Sequence, residues 1–385
     1  MKNLFSRKQI RSYLLLLPLA GAAFAGQAGE TGNIGKASGQ DTTGQEAQAK
    51  ESTVHIGLLY PLSSNGRQAA VYSNGFSFHV LMGLSREERK FVLSGVSTVV
   101  RENAAGLQIA GVSNYTGRQA RGLQLAGVYN HVGDTAQGLQ IGGVMNHAGS
   151  VAGLQVAGVM NHARKGARAL QIGGVVNKAA DLDGLQIGGV VNKAYDVKGL
   201  QFAGVLNMAK KVKGLQVAGL VNIADSSDYP LALLNFIRTG EKSIGLSTDE
   251  TFNVLASFRS GGRVLYGILE AGYNLKSDEP LYALGGGLGA HIRFSEGFRI
   301  NTELTSLVLD DFHRGEYSKH SLRILPALKL SDRIEVFAGP TVNSVYTDMQ
   351  AGKDLFRNPV WEKAHSKGAL HQWYAGFSGG LQIIL

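Results

Sequence analysis

The chain has 385 residues, no cysteine, 52 glycines, seven prolines and a formal net charge of +9. Lack of cysteine excludes disulfides, thiolate metal sites, a cysteine nucleophile and a lipid-modified cysteine. Glycine is a poor helix former and long helical periodicities are missing, so an all-β protein is expected.

Met1 to Arg11 carries Lys2, Arg7, Lys8 and Arg11, and the apolar run Tyr13-Leu14-Leu15-Leu16-Leu17 follows. Ala23-Phe24-Ala25 then offers an A-x-A cleavage site, so residues 1–25 read as a bacterial secretory signal peptide. Its removal takes away four positive charges and leaves about +5 (9 − 4). The remaining Lys and Arg are scattered, without a basic stripe or interleaved aromatics, which argues against a nucleic-acid partner. Residues 26–52 are rich in Gly, Gln, Thr and Ala and read as a flexible leader. Beyond the signal peptide no run of about 18 apolar residues exists, so entry into a membrane would require a closed β-barrel.

Strand-like runs begin over residues 53–105, for example VHIGLLY and FVLSGVSTVV. Eight repeats follow over 106–228, starting at Gly106, Gly122, Gly138, Gly153, Ala169, Gly184, Gly199 and Gly214, at spacings of 15 or 16. Most read G-L-Q-φ-[AG]-G-[VL]-x-N. Such a period fits two architectures. In a parallel β-solenoid each unit is one coil, and like residues stack into ladders. In an antiparallel meander each unit is one strand and one turn.

Turn chemistry favours the meander. The variable stretch after each Asn is two residues in the 15-residue units, as at Ala180-Asp181 and Tyr195-Asp196. It is three with a Gly in the 16-residue units, as at Gly117-Arg118-Gln119. Both are common hairpin loops. Placed this way, Lys198, Leu200, Phe202, Gly204, Leu206 and Met208 form an outward apolar band, roughly 25 Å tall on a tilted strand. Gly199, Gln201, Ala203, Val205, Asn207 and Ala209 would face a lumen. If that lumen is a pore, its lining is Gln108, Gln124, Gln140, Gln155, Gln171, Gln186, Gln201 and Gln216, with Asn114, Asn130, Asn146, Asn161, Asn177, Asn192, Asn207 and Asn222.

From Tyr229 the repeat dissolves while strand rhythm continues to Leu385. Strands are expected at PLALLNFI, FNVLASFRS, RVLYGILEAGYNL, LYALGGGLGAHIRF, FRINTELTSLVL, SLRILPALKL, IEVFAGPTVNSVY and WYAGFSGGLQII. Tight connections at 260–262, 295–297 and 331–333 alternate with long ones at 310–318 and 347–372, the pattern of outer-membrane barrels. On the final strand Trp373, Ala375, Phe377, Gly379, Leu381 and Ile383 share one apolar face.

The GLQIG-type array resembles bacterial surface-repeat proteins built from units of about fifteen residues. The segment from Tyr229 to Leu385 resembles the closing half of Bacteroidetes-type outer-membrane barrels. Together the resemblances imply a cell-surface or outer-membrane protein and carry no assigned activity.

Four constellations raise the question of chemistry. His131, His147 and His162 recur at one repeat position. In a solenoid they could form a metal ladder, but in a meander they alternate between barrel ends and are rim side chains. Gly285-Gly286-Gly287-Leu288-Gly289 lacks the helix and Lys-Ser/Thr of a phosphate loop and reads as small residues at a strand bend. His320-Ser321 with Glu303 or Glu316 invites a hydrolase reading, but adjacent strand residues point to opposite faces. The long stretch Asp348–His371, with Phe356, Trp361, Lys363 and His365, is the candidate surface-recognition loop or plug.

The expected protein is all-β, a large antiparallel outer-membrane-type β-barrel (meander) of roughly 18–20 strands built partly from the repeats. The alternative is a parallel β-solenoid plus a smaller C-terminal barrel. The expected function is non-enzymatic, a passive pore or a structural, surface-display role, the alternative being a surface-exposed β-solenoid adhesin. No catalytic residue, metal or cofactor is expected. The expected partners are outer-membrane lipid and the outer-membrane assembly machinery.

Overall fold

In a computed structural model of the protein, residues 49–312, 315–356, 358–365 and 368–385 are described. The signal-peptide reading and most of the leader lie outside them. Lys50–Leu59 is already a strand, so the end of the leader belongs to the fold.

The repeat array is a parallel β-solenoid, which corrects the expected meander. Each unit pairs in register with the unit 15 or 16 residues later. Gln186 lies opposite Gln171 and Gln201, and Asn192 opposite Asn177 and Asn207. The stacking extends beyond the repeats. It begins where Lys50–Leu59 pairs parallel with Tyr72–Ser85 and ends with Ser226–Leu231 and Leu234–Ile237. PLALLNFI is therefore the last coil and not a barrel strand.

Alternation of side chains explains the section of one coil. In the unit from Asn192, the inward residues are Asn192, Ala194, Val197, Gln201 and Ala203. Lys193, Lys198, Leu200, Phe202 and Leu206 point outward. Gly204 and Val205 form an apolar vertex, so Val205, expected on the lumen side, is outside and 38% exposed. The charged turn at Tyr195-Asp196 lies at the opposite end of the section. Inserted residues of the 16-residue units fall in this turn, where a coil tolerates them as readily as a hairpin does.

Two glycine positions account for the strict phase of the repeat. At the opening glycine φ is positive, +131° at Gly199 and +134° at Gly214. A Cβ on Gly199 would sit 2.0 Å from the Gly184 carbonyl oxygen in the coil below. At the vertex, a Cβ on Gly204 would meet the Gly189 oxygen at 2.2 Å. Close stacking of coils, and not strand-to-strand crowding in a barrel, requires both.

The C-terminal segment forms a closed antiparallel barrel of eight strands among the described residues, not a part of a much larger one. They are Lys242–Asp249, Asn253–Gly261, Leu265–Asn274, Tyr282–Arg293, Phe298–Asp310, Tyr317–Lys329, Ile334–Thr347 and Leu370–Ile384. The first pairs with the eighth, Ile244 opposite Ile383, and closes the ring. Its first strand, KSIGLSTD, has no counterpart in the sequence reading because small and polar residues interrupt it. A short ninth strand, Trp361–Ala364, pairs outside the ring with the eighth.

Candidate functional site

Inside the solenoid the amide side chains form two continuous ladders. Each Gln from Gln124 to Gln216 donates from Nε2 to Oε1 of the Gln one coil earlier, at 2.5–2.9 Å. Each Asn from Asn114 to Asn222 donates to the Asn one coil later at 2.8–3.0 Å. All are nearly or fully buried. The residues expected to line a pore are thus a packed core whose amides satisfy one another. Solute has no path along them.

The three histidines do meet, contrary to the rim reading. Tyr115, His131, His147 and His162 form an outward row with ring centroids 4.6, 5.1 and 4.8 Å apart. His147 Nδ1 and His162 Nδ1 are 3.1 Å apart. Burial first, then neighbouring cationic groups, holds His131 and His162 down to about 4. Among the described residues no group of three His, Cys, Asp or Glu is arranged to hold a metal.

A second polar core, not singled out from the sequence, fills the N-terminal coils. Asn74 Nδ2 lies 3.2 Å from His55 Nδ1 and donates to Glu88 Oε1 at 3.1 Å. Ser77 Oγ donates to Glu88, and His79 Nε2 lies 3.2 Å from His55 Nδ1. The only sequence signal is polar residues on inward positions. Ser77 faces a carboxylate, and buried Ser94 Oγ lies 3.4 Å from His79 Nδ1 and accepts from Thr98 Oγ1 at 2.9 Å. An open groove of about 590 Å³ runs past this core. Its lining mixes Glu87, Glu88 and Asp134 with Arg89, Arg118 and Arg121, so its charge selects no ligand class.

This core titrates. Burial pushes Glu88 up to about 7. Burial, reinforced by His55, holds His79 down to about 4. From pH 4.5 to 7 the folded chain keeps a Glu88 proton that the unfolded chain has released, so this stabilisation is lost as pH rises through 7. From 6.5 down to 4 the folded chain leaves His79 neutral while the unfolded chain protonates, so that stabilisation is lost as pH falls. The two oppose each other and mask one another in the native chain. Glu88→Gln removes the first alone. Its stability relative to the native chain should rise between pH 5 and pH 8 by about 2–3 kcal/mol. Thermal melts at both pH values check this; a pH-independent offset would remove Glu88 from the account.

The barrel is inverted in polarity. Inside, Arg259 Nε meets Glu303 Oε1 at 2.8 Å, and Arg323 forks onto Glu270 at 2.6 and 3.0 Å. Arg299 pairs with Glu335 and Glu241, and Lys319 with Asp249 and Glu250. Gly289 leaves room for the Tyr266 ring, which stacks on His291 at 4.2 Å, so the glycine run serves packing. Outside, Leu284, Leu304, Leu322, Val342, Phe377 and Leu381 are exposed. Tyr273, Tyr282 and Phe312 cluster near the long-loop end, and Phe294 packs on Phe298 near the short-turn end. His320 is exposed and Ser321 buried, on opposite faces as the sequence implies, and Glu303 belongs to the ion pairs. Glu316 lies on the exposed side of the long-loop end.

The candidate loop divides. Met349 and Leu355 are buried with Leu255, Leu309, Tyr317 and Tyr374, and Phe356 stacks on Tyr374 at 3.8 Å. This part stoppers the barrel mouth. Trp361, Lys363 and His365 lie on exposed backbone outside the ring, with Trp361 edge-on to His371. An eight-stranded ring is just wide enough to be filled by side chains or to hold one small ligand, and here the buried ion pairs and Met349 and Leu355 lie within it. No family model, no curated protein and no solved structure matches the chain.

Proposed function

We propose that the protein is a β-solenoid held at the bacterial outer membrane by a closed eight-stranded barrel. It acts as a structural or binding surface, not as a pore or an enzyme. One observation carries this reading: the barrel turns apolar side chains outward between aromatic clusters and pairs its charges inside. Water would favour the reverse. On the fourth strand, Tyr282 and Phe294 bracket the outward residues Leu284, Leu288 and Ile292. Twelve tilted residues span about 30 Å, close to a hydrocarbon core. Outer-membrane lipid and the outer-membrane assembly machinery are the partners this reading requires. The sealed interior makes the barrel an anchor.

The protein should therefore fractionate with the outer membrane and run as a compact species in SDS until boiled. In planar bilayers the purified protein should leave the conductance at baseline. Steady ion-conducting steps would restore the pore, and recovery as a detergent-independent soluble protein would defeat the anchor.

A further inference from the structure

The solenoid carries an apolar edge that no other element covers among the described residues. Four outward rows run along the eight repeats: Leu107 to Leu215, Ile109 to Val217, Val112 to Leu220, and Ser113 to Val221. Ser113 alone interrupts them. At a rung spacing of ~4.8 Å the band is about 34 Å long, well beyond the scattered apolar residues of a soluble surface. The vertex residues remain partly exposed, from 38% at Val175 and Val205 to 50% at Leu220.

At the vertex the backbone N–H groups pair along the stack, and each vertex glycine carbonyl turns toward the glycine of the next coil, where a Cβ would lie 2.0–2.2 Å from it. Val144 N–H donates to the Val128 carbonyl at 3.0 Å, Val175 to Val159 at 3.1 Å and Val190 to Val175 at 3.0 Å. Such an edge presents no row of unpaired N–H donors to hydrocarbon, unlike the edge of an open sheet, which lipid excludes.

How the last coil meets the barrel says what covers this edge. Asn235 ends the asparagine ladder on the barrel wall: its backbone N–H donates to Ser260 Oγ at 3.0 Å and its Nδ2 to the Ser260 carbonyl at 3.1 Å. The charged end of this coil sits at the short-turn rim, where Gly240 lies against Gly261 and Asp228 shares a cleft with Arg263 and Arg293. The vertex sits higher. A Cβ on Gly267 would lie 2.2 Å from the Leu233 carbonyl, and one on Gly286 would lie 3.3 Å from the Leu233 side chain. Gly286 is seven residues above Arg293, roughly 18 Å up a tilted strand. The apolar edge therefore meets the barrel at the level of its outward apolar belt.

Charge is distributed to match. The outward rows that flank the apolar band carry Arg121, Arg168, Lys178, Lys193, Lys198 and Lys213 against Asp183 alone. Long basic side chains there reach headgroup phosphates while their stems lie along the band.

We propose that the apolar edge of the solenoid is immersed in the bilayer leaflet on the short-turn side of the barrel, so that the solenoid lies along the membrane. The occupant of the surface is lipid. This rests on the membrane reading of the barrel, and the test separates the two.

The chain has no native cysteine, so single thiols report cleanly. Val175→Cys marks the vertex, Lys165→Cys the charged turn and Leu304→Cys the barrel wall. Each is labelled with bimane and reconstituted as full-length protein in phospholipid vesicles containing doxyl-labelled acyl chains. The vertex and barrel-wall labels should be quenched several-fold more than the turn label. Quenching of Leu304 without Val175 would overturn this inference and leave the barrel anchored. Failure of Leu304 as well would defeat the membrane reading itself. Ready disulfide formation between Val175→Cys chains in vesicles would assign the edge to a second copy of the chain, and would equally overturn the proposal.

Discussion

Replacing Glu303 by alanine is expected to destabilise the barrel by about 3–5 kcal/mol, the cost of leaving a buried charge without its partner. Glu303 is fully buried and accepts from Arg259 Nε at 2.8 Å and Tyr266 OH at 3.0 Å, while Arg323 approaches at 3.6 Å. Alanine strands Arg259 in a space that excludes water; Arg323 keeps Glu270. The double variant Arg259→Met with Glu303→Leu should recover most of the loss, because a buried pair is close to neutral against apolar residues of similar volume. Urea unfolding in vesicles, followed by loss of the compact SDS species, measures both. Equal loss in the single and double variants would mean that packing, not charge, governs the site.

Asn177→Ala is expected to open the solenoid locally, at a cost of about 2–4 kcal/mol. The Asn177 side chain donates to the Ile187 carbonyl at 2.7 Å and to Asn192 Oδ1 at 2.9 Å, and accepts from Asn161 at 2.9 Å. Alanine leaves several buried groups unpaired and a void between coils. Asn114 begins the ladder and its Oδ1 has no partner, so Asn114→Ala should cost less. Since each coil leans mainly on its neighbours, the damage should remain local. Amide hydrogen exchange should show protection lost around residues 176–193 and retained in the barrel strands. A uniform loss would mean that solenoid and barrel unfold as one unit.

The inversion of the barrel was readable early. Alternating apolar residues on the last strand, with short and long connections in turn, announce strands with one apolar and one polar face. Seven of the eight barrel strands carry that signal. PLALLNFI imitates it, because a last coil also alternates between core and surface. The plug was only half readable: a long loop holding Phe356 and Trp361 invites one role, and the fold sends Phe356 inside and Trp361 out.

By itself, the sequence determined the period of the array, the residues that share a face, and the apolar character of the outward rows. Side-chain alternation is a local property, and every strand obeys it whether its neighbour runs parallel or antiparallel. For the same reason it could not decide between stave and coil. An inserted residue tolerated in a turn fits both, and weighing it as a hairpin loop led to the meander. The unvarying phase of the glycines was the stronger sign, since only coils stacked carbonyl to Cα forbid a Cβ at the same place in every unit. Which strand lies across, and hence whether Gln171 lines water or meets Gln155 and Gln186, was decided by tertiary hydrogen bonding alone.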